Sequence, residues 1–266
     1  MEITLLGTGN AFTTECYNTC FILKEQNFNF LVDAGGGNTI LRQLKHANVD
    51  WKNVRDIFVT HTHIDHIMGI VWLTRLICQN ARQGNFDGEA RIYGHAEVIK
   101  TISELAKMLL LDKDYKYLGH ALKLIIVEDR QTLKLAGHDF TFFDIHSTKT
   151  RQFGFKLDRG IISCCGDEPC NDSTRELVQN STWLMHEAFC LYRDRDIFKP
   201  YEKHHSTVKD ACELAAELNV DNIILYHTED RNLKNRKKLY LEEGEKYFSG
   251  KIYVPYDLET ITIQEM

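Results

Sequence analysis

The hexapeptide HTHIDH, residues 61–66, is the stretch that decides the fold of this 266-residue chain. It places three imidazoles and one carboxylate directly after DIFVT, residues 56–60, whose apolar residues predict a buried β-strand. Side chains two residues apart on extended backbone share a face, so His61 and His63 should point to one position and Asp65 with His66 to another. Imidazole and carboxylate are ligands of Zn²⁺, Mn²⁺ and Fe ions. The hexapeptide therefore predicts a metal site, better suited to two adjacent cations than to one.

Composition excludes several other classes of protein. The net charge of −6 argues against broad, non-specific nucleic-acid binding. The one basic cluster, RNLKNRKK at residues 231–238, is typical of a solvated helix face. No secretory leader and no apolar run of membrane-spanning length is visible, so no membrane association is expected. The eight cysteines form no Cys-x-x-Cys pair, and reduced thiols in a cytoplasmic protein are predicted.

Periodicity predicts alternating strands and helices in one domain, residues 1–266. Thr207 and Asp210 resemble a helix capping box. This pattern favours two sheets packed face to face and covered by helices. Strands are predicted at 2–6, 19–24, 28–33, 56–60, 91–93, 182–186, 222–226, 251–254 and 259–263 and throughout 122–165. Helices are predicted at 38–47, 67–80, 96–111, 172–180, 206–218 and 233–247.

Three more ligand-type residues stand where predicted apolar strands end. His146 follows FTFFDI at 140–145, and Asp167 follows IISCCG at 161–166. His227 follows IILY at 223–226. Each of them alone is typical of a turn residue or a satisfied core histidine. Their recurrence beside the hexapeptide favours additional metal ligands.

Further motifs occur along essentially the whole chain. They are LGTG at 6–9 with Asn18, LVDAG at 31–35, IFVTHTHIDH at 57–66, HEA at 186–188 and HST at 205–207. Together they resemble the metallo-β-lactamase-fold hydrolases. The HEA and HST tripeptides resemble the ribonuclease Z branch of that superfamily.

The resemblance implies an α/β fold, a four-layer αββα sandwich, and a dinuclear metal site. Zn²⁺ is the expected metal and Mn²⁺ the alternative, since His and Asp suit both. Asp33 would orient a ligand imidazole through its free ring N–H, or else cap the turn at 35–37. The implied ligands are His61, His63 and His146 for one ion, Asp65, His66 and His227 for the other, and Asp167 as the bridge.

Such a site would hydrolyse a phosphodiester by attack of a metal-activated hydroxide on phosphorus. Asp65 would accept the proton of the attacking water. His205 is the candidate acid for the leaving oxygen, or a phosphate clamp. Glu187 would raise the pKa of His205 and fix its tautomer.

Residues 147–166 separate His146 from Asp167 and read as a tight strand–turn–strand. In tRNA-processing ribonuclease Z proteins, a long arm that grips the tRNA occupies this interval, and twenty residues cannot build it. The predicted substrate is therefore a small phosphodiester, such as a cyclic nucleotide or a short RNA end, because arm-less relatives include phosphodiesterases that act on small molecules. The alternatives are tRNA 3′-processing, hydrolysis of another ester and a non-catalytic nucleotide-binding module. A homodimer is expected, partly from the family, with the segment 96–120 as a lid or dimer surface.

Overall fold

The computed structural model describes residues 1–26 and 28–264, which form two compact units. Unit 1 consists of Met1–Gly7, Tyr17–Val127 and Asp257–Thr262. Unit 2 is built mainly from Thr8–Cys16 and Glu128–Tyr256. Each unit has its own seven-stranded sheet. The prediction of a single domain stays a prediction.

Unit 1 combines a mixed sheet with four helices. Its strands, numbered along the chain, are β1 (Glu2–Gly7), β2 (Cys20–Glu25), β3 (Phe28–Val32), β4 (Asp56–Phe58), β5 (Ala90–Gly94), β6 (Leu122–Ile126) and, at the chain end, β14 (Thr260–Thr262). Its helices are α1 (Thr39–His46), α2 (Ile64–Arg82), α3 (Ala96–Leu109) and α4 (Asp112–Tyr115), with a 3₁₀ turn at Trp51–Asn53.

Unit 2 repeats this composition. Its strands are β7 (Thr132–Leu135), β8 (His138–Asp144), β9 (Phe153–Leu157), β10 (Ile162–Cys164), β11 (Trp183–Glu187), β12 (Asn222–Tyr226) and β13 (Lys251–Tyr253). Its helices are α5 (Arg175–Val178), α6 (Arg195–Phe198), α7 (Val208–Glu217) and α8 (Leu233–Gly244), with 3₁₀ turns at Asp158–Gly160, Tyr192–Asp194 and Tyr201–Lys203.

The two sheets share one pairing pattern. In unit 1 the order is β14-β1-β2-β3-β4-β5-β6, antiparallel up to β3 and parallel from there. In unit 2 the order from the other edge is β7-β8-β9-β10-β11-β12-β13, antiparallel up to β10 and parallel beyond. Asp33 follows β3 and Asp167 follows β10, so both carboxylates stand where the pairing changes. Ligand-type residues at the carboxyl ends of parallel strands converge at one sheet edge.

Helix α2 covers its sheet closely and thereby positions the hexapeptide. Its apolar stripe at helical spacing packs into one cluster with Leu31, Ile57 and Ile92 of the sheet. Gly69 lies directly against the loop after β3. A Cβ atom at this position would stand only 1.8 Å from the Ala34 backbone oxygen. Its backbone N–H donates to the Gly35 oxygen at 2.8 Å. A glycine is therefore required for α2 to approach the loop that carries Asp33.

Unit 2 has a separate apolar core under α7 and α8. Leu184 and Leu225 of the sheet pack with Val208 and Ala211 of α7. The start of α7 is fixed by a complete capping box, in which Thr207 and Asp210 each bond the other's backbone N–H. The predicted capping box is confirmed.

The predicted strands and helices are confirmed, but the short helices α4 and α6 were not predicted, and three further details differ. Helix α2 begins at Ile64 rather than 67, because β4 ends at Phe58 and His63 already serves as the N-cap. Helix α5 has only four residues, since Asn171 and Thr174 tie the preceding segment into a turn. In the predicted solvated basic cluster, Arg236 is instead buried. None of the helices in the described ranges is long and apolar enough to cross a membrane.

Candidate metal centre

The first cluster of ligand-type side chains lies in unit 1, between β4 and the first turn of α2. His61 Nε2 and His63 Nδ1 are 2.8 Å apart, as the two-residue spacing predicts. Asp65 and His66 belong to the first helical turn and are buried. A carboxylate in the first turn is favoured by the partial positive charge of a helix N-terminus.

Asp33 orders two of these imidazoles. Its Oδ1 accepts from the Thr60 backbone N–H at 2.9 Å, and its Oδ2 accepts from the Thr60 hydroxyl at 2.8 Å. Oδ2 also faces His66 Nδ1 at 2.8 Å, where the imidazole donates. The predicted contact between Asp33 and an imidazole of the hexapeptide is confirmed, and the role of that imidazole as a metal ligand stays a prediction.

The tautomer of His61 follows from the same chain of hydrogen bonds. Because the Thr60 hydroxyl gives its only proton to Asp33, it must accept from His61 Nδ1, which lies 2.9 Å away. His61 Nε2 is therefore left with a lone pair, and so is His66 Nε2 when that imidazole is neutral. His61 Nε2 is in the form that ligates a metal, and His66 Nε2 takes that form when its imidazole gives up a proton.

The electrostatics of this cluster favour positive charge. Burial lowers the pKa of His66, but the carboxylates of Asp65 and Asp33 outweigh burial and hold that pKa well above 6.5. The Asp65 Oδ2 oxygen lies 3.5 Å from His66 Nε2. A site that stabilises an imidazolium so strongly is also suited to a bound cation.

The second cluster lies in unit 2 and consists of Asp167, His205 and His227. All three are buried, and each offers one ligand atom within 4.8 Å of the others. His227 Nε2 lies 3.6 Å from Asp167 Oδ2. The His205 ring stacks on Phe189 with centroids 4.9 Å apart. His205 thus joins a ligand-type group, which the sequence did not predict.

The protonation of His205 differs from the sequence-based expectation. Burial, followed by the charge of His227, lowers the pKa of His205 to about 3. Its Nδ1 donates to the Asp167 backbone oxygen at 2.8 Å, so this carbonyl is the direct partner that fixes the tautomer. Glu187 lies 3.7 Å from that nitrogen and accepts the Ser206 backbone N–H at 2.5 Å. Burial raises the pKa of Glu187 itself, so the expected rise of the His205 pKa is not found.

His146 stands apart from the unit 2 cluster. Its side chain is exposed and is not among the three ligand-type residues grouped there. Its backbone N–H donates to Asp144 Oδ1 at 2.8 Å. Its assignment as a ligand stays a prediction.

Three of the predicted residues have a left-handed backbone conformation. The φ angles are 55° for Asp33, 55° for His146 and 57° for His227. Such conformations are uncommon outside glycine, and they concentrate at functional sites because the surrounding structure must enforce them.

The donor set of both clusters fits a divalent cation. Imidazole nitrogens with fixed tautomers and buried carboxylates are the ligands that Zn²⁺ and Mn²⁺ use in proteins. The sequence analysis missed Thr60 and Arg236. Thr60 could have been found as a hydroxyl next to the first motif histidine. No local signal marks Arg236, whose partners are distant in sequence.

A family model and several solved structures match the chain over most of its length. The model for anti-Pycsar protein Apyc1 matches residues 1–248. The ribonuclease Z of Bacillus mycoides is 26% identical over 317 aligned positions, which cover 99% of this chain and 100% of the relative.

Two of the structural neighbours share the fold at low sequence identity. The metallo-β-lactamase fold protein YhfI from Bacillus subtilis has a TM-score of 0.77 and 18% identity, over 98% of each chain. Human tRNase Z, short form, has a TM-score of 0.74 and 19% identity, over 100% of each chain.

These comparisons confirm three predictions from the sequence. The fold is the α/β, four-layer αββα type of the metallo-β-lactamases. The chain is ribonuclease Z-like, and it is a metal-dependent hydrolase. The match over residues 1–248 shows the family. The chain belongs to the anti-Pycsar protein Apyc1 family.

Proposed function

We propose that this metal-dependent hydrolase is a dinuclear phosphodiesterase that acts on a small phosphodiester, a cyclic nucleotide or a short RNA end. The proposed ligands of its two divalent ions are His61, His63, Asp65, His66, His146, Asp167 and His227. Zn²⁺ is the proposed metal, with Mn²⁺ as the alternative. A homodimer and a cytoplasmic location are part of the same proposal.

The observation that carries the choice of substrate is the segment between His146 and Asp167. A short loop, β9, one tight turn and β10 fill it completely. The turn is tight because Asp158, Arg159 and Gly160 all have positive φ. No long arm can protrude from a hairpin of this size. The alignment to the Bacillus mycoides ribonuclease Z is also longer than this chain, 317 positions against 266 residues, so that relative contains segments this chain lacks.

The chemistry assigned to the residues follows from their protonation. Two divalent ions, when bound, lower the pKa of a water and neutralise charge on the phosphoryl group. Asp65 accepts the proton of the attacking water. His205, with Glu187 beside it, serves the leaving oxygen. Because His205 is neutral before substrate binds, donation from its Nε2 requires that the negative charge of the substrate first raise its pKa.

The alternative is a tRNA 3′-processing endonuclease of the ribonuclease Z type. The observation in its favour is that the similar proteins are ribonuclease Z enzymes. Besides the Bacillus mycoides protein, the ribonuclease Z of Archaeoglobus fulgidus is 25% identical over 94% of this chain. This alternative requires an RNA grip other than an arm after His146.

A turnover panel with metal-replete protein separates the two. Its substrates are pre-tRNA, bis-p-nitrophenyl phosphate, and 2′,3′- and 3′,5′-cyclic nucleotides. We expect turnover of cyclic nucleotides and of the chromogenic diester, and little cleavage of pre-tRNA. Efficient pre-tRNA cleavage without action on cyclic nucleotides would establish the alternative.

His63→Ala tests the metal centre in the same panel. We expect this variant to lose metal and turnover together, since one ligand imidazole is removed. The matched control is His46→Ala, which removes an exposed imidazole of unit 1 and should keep both. Normal phosphodiesterase activity in His63→Ala would refute the proposed centre.

A further inference from the structure

The loop at residues 147–152, between His146 and β9, is unusually well anchored for an exposed segment. The buried Glu168, next to Asp167, accepts with Oε1 from the Ser147 hydroxyl at 2.7 Å and from Gln152 Nε2 at 3.2 Å. One carboxylate oxygen thus closes both ends of the loop. The position of the loop is therefore fixed relative to Asp167.

The carboxylate of Asp144, at the end of β8, also anchors this loop. Asp144 Oδ1 accepts from the His146 backbone N–H at 2.8 Å, and its Oδ2 accepts from Arg151 Nε at 2.9 Å. Arg151 is thereby neutralised. Lys149 at the tip of the loop differs from Arg151. Its ammonium forms no ion pair with any residue in the described ranges 1–26 and 28–264.

The tip of the loop contacts His204, the residue directly before His205. Thr148 Oγ1 and His204 Nδ1 are 2.6 Å apart, and His204 directly precedes His205. His204 has a φ of 61°, so the chain turns sharply there. Burial, the charge of His227 and the charge of Lys149 all lower the pKa of His205. The ammonium of Lys149 is therefore within electrostatic reach of the unit 2 cluster.

We propose that Lys149 is a substrate-binding residue, whose ammonium binds a non-bridging phosphoryl oxygen of the phosphodiester. The inference rests on the proposed function and extends it. A lysine ammonium is a compact point charge that suits a phosphate oxygen. The neighbouring carboxylates of Asp167 and Glu168 repel an anionic substrate. A fixed loop that presents one unpaired cation next to them offsets that repulsion.

Lys149→Gln tests this role, with Lys134→Gln as the matched control. Lys134 is an exposed lysine of β7 that faces the start of β8, far along that strand from His146, and it pairs with Asp139. For Lys149→Gln we expect KM to rise about tenfold while kcat changes less, since a contact made in both ground and transition state is lost. Lys149→Arg should restore much of the affinity. Metal content should equal that of the unsubstituted protein in all three variants.

Two further measurements would not respond to a merely structural role. The fall of kcat/KM with added salt should be shallower in Lys149→Gln, because one attractive charge is missing. Binding of inorganic phosphate to the metal-loaded protein, followed by calorimetry, should weaken by a similar factor in Lys149→Gln and stay unchanged in Lys134→Gln.

The outcomes separate this inference from the proposed function. If the unsubstituted protein turns over the diesters and Lys149→Gln matches Lys134→Gln in KM, salt dependence and phosphate binding, the inference on Lys149 is wrong. If no diester is turned over, the proposed function fails, and phosphate binding still decides whether Lys149 is an anion ligand.

Discussion

Asp33 shows how one side chain can prepare several others for a metal. Its two oxygens collect three donors, two from Thr60 and one from His66. Through Thr60 it also sets the tautomer of His61. A carboxylate behind a ligand histidine fixes the ring and makes it a stronger base.

We predict that Asp33→Asn lowers metal affinity by about 10- to 100-fold, because an amide cannot accept all three donors. Asparagine tolerates the left-handed backbone at this position, so the change isolates the carboxylate. Metal titration followed by calorimetry measures the effect.

The matched control for Asp33 is Asp50→Asn. Asp50 caps a 3₁₀ turn of unit 1 through its carboxylate, outside the hexapeptide. We expect its metal affinity to be unchanged. Equal affinities in the two variants would contradict the role assigned to Asp33.

At the scale of elements, helix α8 is held by a single buried cation. Arg236 donates to the hydroxyl of Thr228 at 2.5 Å, to that of Thr8 at 3.1 Å and to the Pro255 oxygen at 2.6 Å. Thr228 directly follows His227. The planar guanidinium thus joins α8 to the loop that carries a predicted ligand, a geometry that lysine cannot reproduce.

We predict that Arg236→Lys lowers the free energy of unfolding by about 2–3 kcal/mol, because buried acceptors lose charged donors. Urea denaturation of the metal-replete protein measures the change. Lys238→Met, on the same helix but exposed, is the control and should be nearly neutral. A variant Arg236→Lys as stable as the control would contradict the anchoring role.

At the scale of the whole molecule, buried histidines make stability depend on pH. His186 is fully buried, and its Nδ1 donates to the Glu187 backbone oxygen at 2.6 Å. Burial lowers its pKa to about 4, against 6.5 when it is exposed to water. Between these values the unfolded chain binds the proton and the folded chain does not, so stability falls as the pH falls.

We predict that His186 accounts for a loss of up to about 3 kcal/mol of unfolding free energy between pH 7 and pH 4. The variant His186→Gln should therefore show a flatter dependence on pH in urea denaturation. The exposed His120→Gln should keep the slope of the unsubstituted protein. Parallel curves for all three proteins would contradict this origin.

Much of the fold could be predicted because its signals are local. Short apolar runs located strands such as β12, and Thr207 with Asp210 marked the start of α7. The sequence predicts that α2 begins at residue 67, three residues late, because the ligand-type residues Asp65 and His66 hide the first helical turn. A residue in the first turn of a helix can be part of the helix and a possible metal ligand at the same time, and hydrophobic periodicity does not reveal such a residue as helical.

Less of the site could be predicted, because the residues that support the predicted ligands form hydrogen bonds to partners far away in the sequence. Asp33 reaches Thr60 across 27 residues, and Arg236 reaches Thr8 across 228. The protonation of His205 also depends on burial and on a backbone carbonyl of residue 167. The sequence shows that residue 205 is a histidine, but it does not show how deeply the side chain is buried, and burial sets its pKa.

By itself the sequence determined the metallo-β-lactamase, ribonuclease Z-like fold and the short interval between His146 and Asp167, and it predicted a metal site at the hexapeptide. These depend on residue identity and on chain length between two motifs. Only the tertiary structure decided which hydrogen bonds fix the tautomers of His61 and His205, and that Glu168 anchors the loop carrying Lys149. The physical reason is that burial and long-range pairing set the charge state of a side chain, and both arise only when the chain has folded.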